Sequence, residues 1–167
     1  ESYDQALAVL DRCMAQKGLA VERELGWLAD QKTRVLVLAK RFAEALAWIE
    51  QQNAPSEIMW ESKVVALIEL KRFSGARVTL DEWEAANGLT GAVQRIRVRL
   101  AREERNLEEM RLVLKAMREL NPGNPQPWIY AVIQEFLAEE PVAAAEALDA
   151  FLLRFGGTAN NLLTVAR

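Results

Sequence analysis

The sequence predicts an all-α protein, an α-solenoid of stacked antiparallel helix hairpins, and three observations support this fold class. The segment 40–44 (KRFAE) is echoed by 71–75 (KRFSG), and an alanine follows each copy. Turn-forming residues divide the chain into stretches of about 30 residues with helical apolar spacing. No stretch shows the two-residue alternation of a half-buried strand. A repeat of this length is typical of stacked helical hairpins.

Two kinds of break alternate along the chain and separate each predicted helix from the next. Clusters of Gly, Pro, Asn and Ser mark the ends of the stretches, at Gly18, 53–56, 87–90, 121–125 and 156–158. Shorter polar breaks divide the stretches near their middles, at 40–41, 71–72, 104–106 and 139–141. Each half is therefore long enough for one helix of roughly 12 to 18 residues.

The predicted helices form two series. The first helix of each hairpin is predicted over residues 22–38, 57–69, 91–103 and 126–138, and 159–167 begins a fifth. The second helices begin at a large apolar residue, which is Tyr3, Phe42, Phe73 or Leu107. Because one hairpin cannot bury the apolar faces of both its helices, each hairpin must stack on a neighbour. We therefore expect a right-handed superhelix with an inner and an outer wall.

The helix ends carry residues that suit their positions. Asn106 can cap the helix that begins at Leu107, while Glu109 reaches back in a reciprocal arrangement. Asn124 precedes Pro125, whose fixed φ favours a first helical turn. Further N-cap candidates are Ser56, Thr90 and Thr158, and the glycines expected at helix ends are Gly18, Gly88 and Gly156.

The composition is that of one folded module. The chain has 167 residues, is 51% hydrophobic and carries a net charge of -3, with its basic residues scattered. No broad basic face favours nucleic acid, and no apolar run is long enough to span a bilayer. The single cysteine, Cys13, is expected to be a small core residue. We expect a soluble segment, cytoplasmic or periplasmic, that forms one repeat domain over 1–167 with four to five hairpins.

The spacing within the second helices resembles the tetratricopeptide repeat. Each has a large residue, then a residue three positions on and another four positions after that: Tyr3, Ala6 and Leu10; Phe42, Ala45 and Ile49; Phe73, Ala76 and Leu80; Leu107, Met110 and Leu114. Trp60 and Trp128 stand where that family favours a Trp, and Asn121-Pro122 matches its junction between hairpins. The chain departs from the family at Val64 and Val132, which replace a small residue, and at Pro141, which replaces the aromatic.

The resemblance implies a non-catalytic scaffold that binds a partner protein or peptide in a concave groove lined by the first helices. Because the chain begins at Glu1 and both ends fall inside the repeat pattern, we expect a fragment of a longer array. The excess of Arg over Lys, together with the resemblance, suggests a bacterial secretion, envelope or polysaccharide-export assembly.

The arginines of helix 91–103 are the clearest candidates for partner binding. Arg95, Arg99 and Arg102 lie at i, i+4 and i+7, on a different face from the apolar stripe of Val93, Ile96 and Leu100. Guanidinium groups bind carboxylates in fork-shaped pairs, so the expected ligand is acidic. Arg34 could extend the cluster. Alternatively, Arg99 pairs with Glu103, and Arg97 and Arg102 solvate the helix or meet acids of the next hairpin such as Glu108 and Glu109.

The remaining first helices predict an apolar inner wall beside these arginines. Its residues are Ile58, Glu61, Val65 and Ile68 on helix 57–69, and Ile129, Ile133 and Phe136 on helix 126–138. Such a groove would suit an amphipathic helix that carries acidic residues. Core packing is the alternative, because an error of one residue in phase rotates the stripe by about 100 degrees. The predicted partner-binding residues are Arg95, Arg99, Arg102, Arg34, Glu61, Ile129 and Ile133.

Other classes of function have less support in the sequence. The chain contains no His, which removes the commonest general base and all imidazole metal sites. We expect no enzyme activity, no metal and no cofactor. The five Trp residues are expected to fill the core. Two alternatives stay open: sensing of a small anion or acidic saccharide at the arginines of helix 91–103, and self-association through helix faces exposed at the ends.

Overall fold

The computed structural model of the chain describes residues 2–15 and 22–156, and these residues are all-α. They contain nine helices, and most of these pack against a neighbour along the chain. The helices are α1 Ser2–Ala15, α2 Glu22–Leu38, α3 Phe42–Ile49, α4 Glu57–Glu69, α5 Phe73–Asn87, α6 Gly91–Glu103, α7 Leu107–Leu120, α8 Gln126–Leu137 and α9 Pro141–Phe155. Helices α2, α4 and α6 have the predicted bounds, and α8 ends one residue earlier. The predictions for Gly18, Thr158 and 159–167 fall outside the described residues.

The contacts divide the chain into two compact units, Glu1–Ile96 and Arg97–Arg167, with the boundary inside α6. In unit 1, α2 packs on α1, α3 and α4, and α4 packs on α3 and α5. In unit 2, α8 packs on α7 and α9. The fold class is as predicted, with the hairpins α2/α3, α4/α5, α6/α7 and α8/α9. That 1–167 forms a single domain stays a prediction.

The same backbone motif joins the two helices of each hairpin. One non-glycine residue adopts the left-handed conformation in every turn: Lys40, Lys71, Arg105 and Glu139, with φ of 58, 57, 57 and 60°. The N–H of the next residue then bonds to the carbonyl five residues earlier, from Arg41 to Leu36, Arg72 to Leu67, Asn106 to Ala101 and Glu140 to Glu135, at 2.8 to 3.1 Å. These bonds satisfy carbonyls that the helix end leaves unpaired. They also place the following helix at the same register in each hairpin.

That register explains why a small or flexible residue recurs in the second helices. The residue five positions after each left-handed turn lies against the first helix: Ala45, Ala76, Met110 and Ala144. These four residues are at most 2% exposed. Helix α1 differs from the predicted alignment, since Leu7 is its buried residue and Tyr3 is 45% exposed.

The predicted capping groups act at several helix starts. The Ser56 hydroxyl accepts a hydrogen bond from the Met59 N–H at 3.2 Å. Asn106 Oδ1 accepts one from the Glu109 N–H at 3.1 Å, and the Asn106 amide donates to the Glu109 carboxylate. The capping pair at α7 is therefore reciprocal, although Glu109 binds the side chain of Asn106. Asn124 likewise accepts a bond from the N–H of Gln126.

Each unit has its own apolar core. In unit 2, Met110, Leu114 and Met117 of α7 pack against Ala101 and Ala131. In unit 1, one cluster joins Leu7, Leu36 and Ala45, and a second joins Ala29, Ile49 and Met59, with Trp48 packed against both.

Two residues predicted to be in the core are on the surface. Cys13 is exposed, because the buried side of α1 runs through Leu7. Trp27 is 60% exposed, whereas Trp83 is completely buried and the other three Trp residues are partly buried. In both cases helical spacing identified an apolar stripe but did not determine which side of the helix faces the core. No described helix combines the length and apolar character needed to cross a membrane.

Candidate functional site

The first helices of unit 1 form a groove that contains two of the predicted binding residues. A cavity of about 250 Å³ lies between α2 and α4. It is lined by Arg34, Val37, Ile58, Glu61, Ser62 and Val65. The α4 residues lie at i, i+3, i+4 and i+7, which places them on one face of the helix. The groove thus offers one cation, one anion and an aliphatic surface.

The exposure of these side chains makes the groove accessible to a ligand. Arg34 is exposed, and Ile58, Glu61 and Val65 are partly exposed. Ile68, also predicted to line the wall, is 1% exposed and belongs to the core. The partly exposed aliphatic residues would gain from burial against a partner, since each square ångström of apolar surface removed from water contributes about 25 cal/mol.

The three predicted arginines of α6 differ in their surroundings. Arg95 and Arg102 are exposed, and Arg99 is partly buried. Arg102 Nη2 lies 3.8 Å from Glu103 Oε1, a long contact at a half-exposed side chain. Such surface pairs contribute little to stability, so Arg102 stays able to exchange partners. The apolar stripe of α6, Val93, Ile96 and Leu100, is buried as predicted.

The predicted residues of α8 separate into core and surface. Ile129 is only 6% exposed, so it packs inside the protein and offers no surface to a ligand. Ile133 is partly exposed, and Phe136 is 63% exposed. Sequence reasoning missed Tyr130 and Leu137, which are also exposed. Tyr130, Ile133 and Leu137 are spaced at i, i+3 and i+7, and this spacing indicates that they share one face of the helix.

A cavity that the sequence did not predict lies between α7, α8 and α9 in unit 2. Its volume is about 300 Å³. Apolar and small residues form most of its wall: Leu107, Met110 and Leu114 of α7, Ala131 of α8, and Ala143, Ala147 and Ala150 of α9. Its polar lining consists of Arg111, Arg118, Gln134, Glu135 and Glu146.

A two-bond ion pair lies at the wall of this cavity. Arg111 Nε donates to Glu135 Oε1 at 2.8 Å, and Arg111 Nη2 donates to Glu135 Oε2 at 2.6 Å. Glu135 is 9% exposed, although burial of an ionised carboxylate is costly. The hydrogen bonds from Arg111 hold the pKa of Glu135 below its usual range, against the opposing effect of burial. The carboxylate is therefore ionised and held in place by the guanidinium.

The register of the hairpins shows that Glu135 occupies a core position. Counting four residues back from the left-handed turn gives Leu36, Leu67, Ala101 and Glu135 in the four hairpins. The first three are at most 9% exposed and apolar. A comparison of the four hairpins could have identified Glu135 from the sequence, once the turns were aligned.

Two arginines flank an indole at the end of the same helices. The guanidinium carbons of Arg118 and Arg154 lie 5.1 and 5.8 Å from the Trp128 ring centroid. Arg154 Nε also donates to the carbonyl of Pro122 at 2.6 Å. Arg118 is partly buried, and this desolvation lowers its pKa. Cation–π contacts of this kind are stronger where water is excluded.

Comparisons with known proteins support the fold. The structure matches that of a tetratricopeptide repeat protein from Parabacteroides merdae ATCC 43184 with a TM-score of 0.71 and 11% sequence identity. The match covers 98% of this chain and 63% of the other, so this chain spans less than two thirds of that protein. No protein-family model matches the sequence. No curated protein matches it either.

Proposed function

We propose that this chain is a non-catalytic interaction module that binds a partner peptide on the surface of its first helices. The tetratricopeptide-repeat-like fold supports this class of function, because repeat folds of stacked hairpins present extended binding surfaces. The groove between α2 and α4 is the observation that carries the proposal. It brings together basic, acidic and aliphatic side chains that are exposed or partly exposed.

The lining of this groove defines the partner's chemistry. Arg34 is suited to a carboxylate, and Ile58 and Val65 are suited to an aliphatic side chain. Glu61 would favour a basic residue elsewhere in the bound peptide. The fitting partner is therefore an amphipathic peptide with an acidic residue beside an aliphatic anchor. The exposed arginines of α6 suit the same acidic class and are tested separately.

A random peptide library displayed on phage tests the proposal without knowledge of the natural partner. Peptides selected on the wild-type protein should carry acidic and aliphatic residues, and their dissociation constants can be measured by isothermal titration calorimetry. Arg34→Glu should weaken the selected peptides at least tenfold, because it turns attraction into repulsion. The variant Arg95→Glu/Arg99→Glu shows whether α6 also takes part.

Arg12→Glu is the matched control, since it changes the same charge on an exposed residue of α1, outside the groove. Its affinity for the selected peptides should equal that of the wild type. Selection of peptides whose affinity is unchanged by Arg34→Glu would contradict the assignment of the groove.

A further inference from the structure

The cavity in unit 2 has a counterpart in unit 1, and the two are related residue by residue. An offset of 99 residues relates the left-handed residues Lys40 and Glu139, and it also relates α2 and α3 to α8 and α9. The unit 1 cavity, of about 510 Å³, lies between α1, α2 and α3. On α2, on α3 and in the turn after α3, it is lined by Lys32, Leu36, Glu44, Ala47, Trp48 and Gln51. The unit 2 cavity is lined by all six equivalents, Ala131, Glu135, Ala143, Glu146, Ala147 and Ala150.

In unit 1 an indole and a lysine form part of the cavity wall between α2 and α3. Lys32 Nζ lies 4.1 Å from the Trp48 ring centroid and 2.6 Å from Asp11 Oδ1. Trp48 Nε1 donates to the Ala29 carbonyl at 3.4 Å. The ring is thus held between the two helices, with a cation on its face.

In unit 2 both of these side chains are reduced to methyl groups. Ala131 replaces Lys32 and Ala147 replaces Trp48, and both alanines line the cavity of about 300 Å³. The helices keep the same register, and none of the residues that line the unit 2 cavity is aromatic. A cavity near 300 Å³ lies at the lower end of the range for ligand pockets and has room for one residue-sized group.

The polar groups of the cavity favour an anion beside that ring. Glu135 is already bound by Arg111, which also contacts Glu108 at 3.1 Å. Arg118 is desolvated and lies on the face of Trp128, and within the described residues it forms no ion pair. Glu146 is exposed at the rim. A carboxylate reaching Arg118 would gain a charge-assisted hydrogen bond in a partly water-excluded place.

We propose that this cavity binds an aromatic ring that carries a nearby carboxylate, with the ring against the wall that Ala131 and Ala147 form and the carboxylate on Arg118. This chemistry occurs in an aromatic residue at the C-terminus of a polypeptide and in a free aromatic acid. The site lies on α7, α8 and α9, apart from the α2/α4 groove, and its existence does not depend on the proposed peptide-binding function.

The test uses three probes: N-acetyl-tryptophan, its amide, and a hexapeptide that ends in Trp with a free carboxylate. Binding is measured by calorimetry and by NMR of protein labelled at the alanine methyls. N-acetyl-tryptophan should shift the Ala131 and Ala147 methyl signals saturably and bind at least tenfold more tightly than its amide. Tighter binding of the hexapeptide than of N-acetyl-tryptophan would assign the site to a chain terminus, and equal binding would assign it to a free acid.

Three variants locate the ligand. Ala147→Trp should abolish binding, because it places an indole where Trp48 lies in unit 1. Ala145→Trp is its control on an exposed position of α9 and should bind as the wild type does. Arg118→Gln should bind the acid and the amide equally. The proposal is overturned if no alanine methyl of the cavity shifts at the highest soluble probe concentration, or if Arg118→Gln keeps the preference for the acid.

Discussion

At the scale of single residues, four left-handed turns impose a conformational cost on this chain. Lys40, Lys71, Arg105 and Glu139 all adopt φ between 57 and 60°. A side chain with a Cβ pays about 1–2 kcal/mol for this conformation relative to a right-handed one. The bonds to the preceding helix compensate for that cost in each hairpin. Glycine is the usual residue at such a position, so these turns are open to stabilisation.

Replacing Arg105 by Gly should stabilise unit 2 by about 0.5 kcal/mol. The gain is the relief of the left-handed strain, reduced by the greater conformational entropy of glycine in the unfolded chain. Urea denaturation followed by circular dichroism measures the change. Arg105→Ala keeps the Cβ and should show no such gain. A stabilisation of equal size in both variants would assign the effect to the arginine side chain.

Two glycines should respond to alanine in opposite directions. Gly88 has φ 79° and ψ 176°, a conformation that is accessible almost only to glycine, so Gly88→Ala should destabilise the protein by about 1–3 kcal/mol. Gly26 lies inside α2, and a Cβ added there meets no atom within 4 Å. Gly26→Ala should therefore stabilise the protein by about 0.5–1 kcal/mol. Thermal unfolding of both variants checks the signs, and equal signs would contradict this account.

At the scale of helices, α8 carries a charge at a position where the other first helices are apolar. Because Glu135 is buried, removing its partner should be costly, whereas replacing both residues restores the pattern of Leu36 and Leu67. We expect Arg111→Met to destabilise the protein, because it leaves the Glu135 carboxylate without its partner. The double variant Arg111→Met/Glu135→Leu should match or exceed the wild type. Denaturant unfolding of the wild type, the single variants and the double variant measures the coupling.

The same pair predicts how the stability of the protein depends on pH. The pKa of Glu135 is lower in the folded than in the unfolded state, so its ionisation stabilises the fold above the unfolded value, about 4.3. This contribution is lost as the pH falls through the folded pKa. The wild type should therefore lose stability between pH 5 and 3 relative to the double variant. Parallel acid-induced curves for the two proteins would show that the pair contributes nothing through ionisation.

At the scale of the whole molecule, the two compact units each possess a core. Leu114 is 1% exposed in unit 2, and Leu80 is 2% exposed in unit 1. We expect Leu114→Ala to cost about 2–5 kcal/mol and to reduce amide protection chiefly in α7, α8 and α9. Native-state hydrogen exchange measures this, and Leu80→Ala should affect α4 and α5 instead. A uniform loss of protection in either variant would mean that the chain unfolds as one cooperative block.

The local signals predicted the helices well and the site only in part. Apolar spacing, turn residues and caps act over a few residues, so they were sufficient for the bounds of α2, α4 and α6 and for the cap at Asn106. The phase of each helix depends on what packs against it. For this reason Ile129, predicted to bind a partner, lies in the core, and Trp27, predicted to fill the core, lies on the surface.

The sequence by itself determined the fold class, the order of the hairpins and the register of α3, α5 and α7, because the residues that encode them are neighbours along the chain. The tertiary structure decided which side chains share a cavity. Arg34 and Glu61 line one groove only because α2 packs on α4, and the Arg111–Glu135 pair forms only because α7 packs on α8. Such contacts depend on how whole helices pack, and a difference of one residue in phase turns a side chain from the core to the surface.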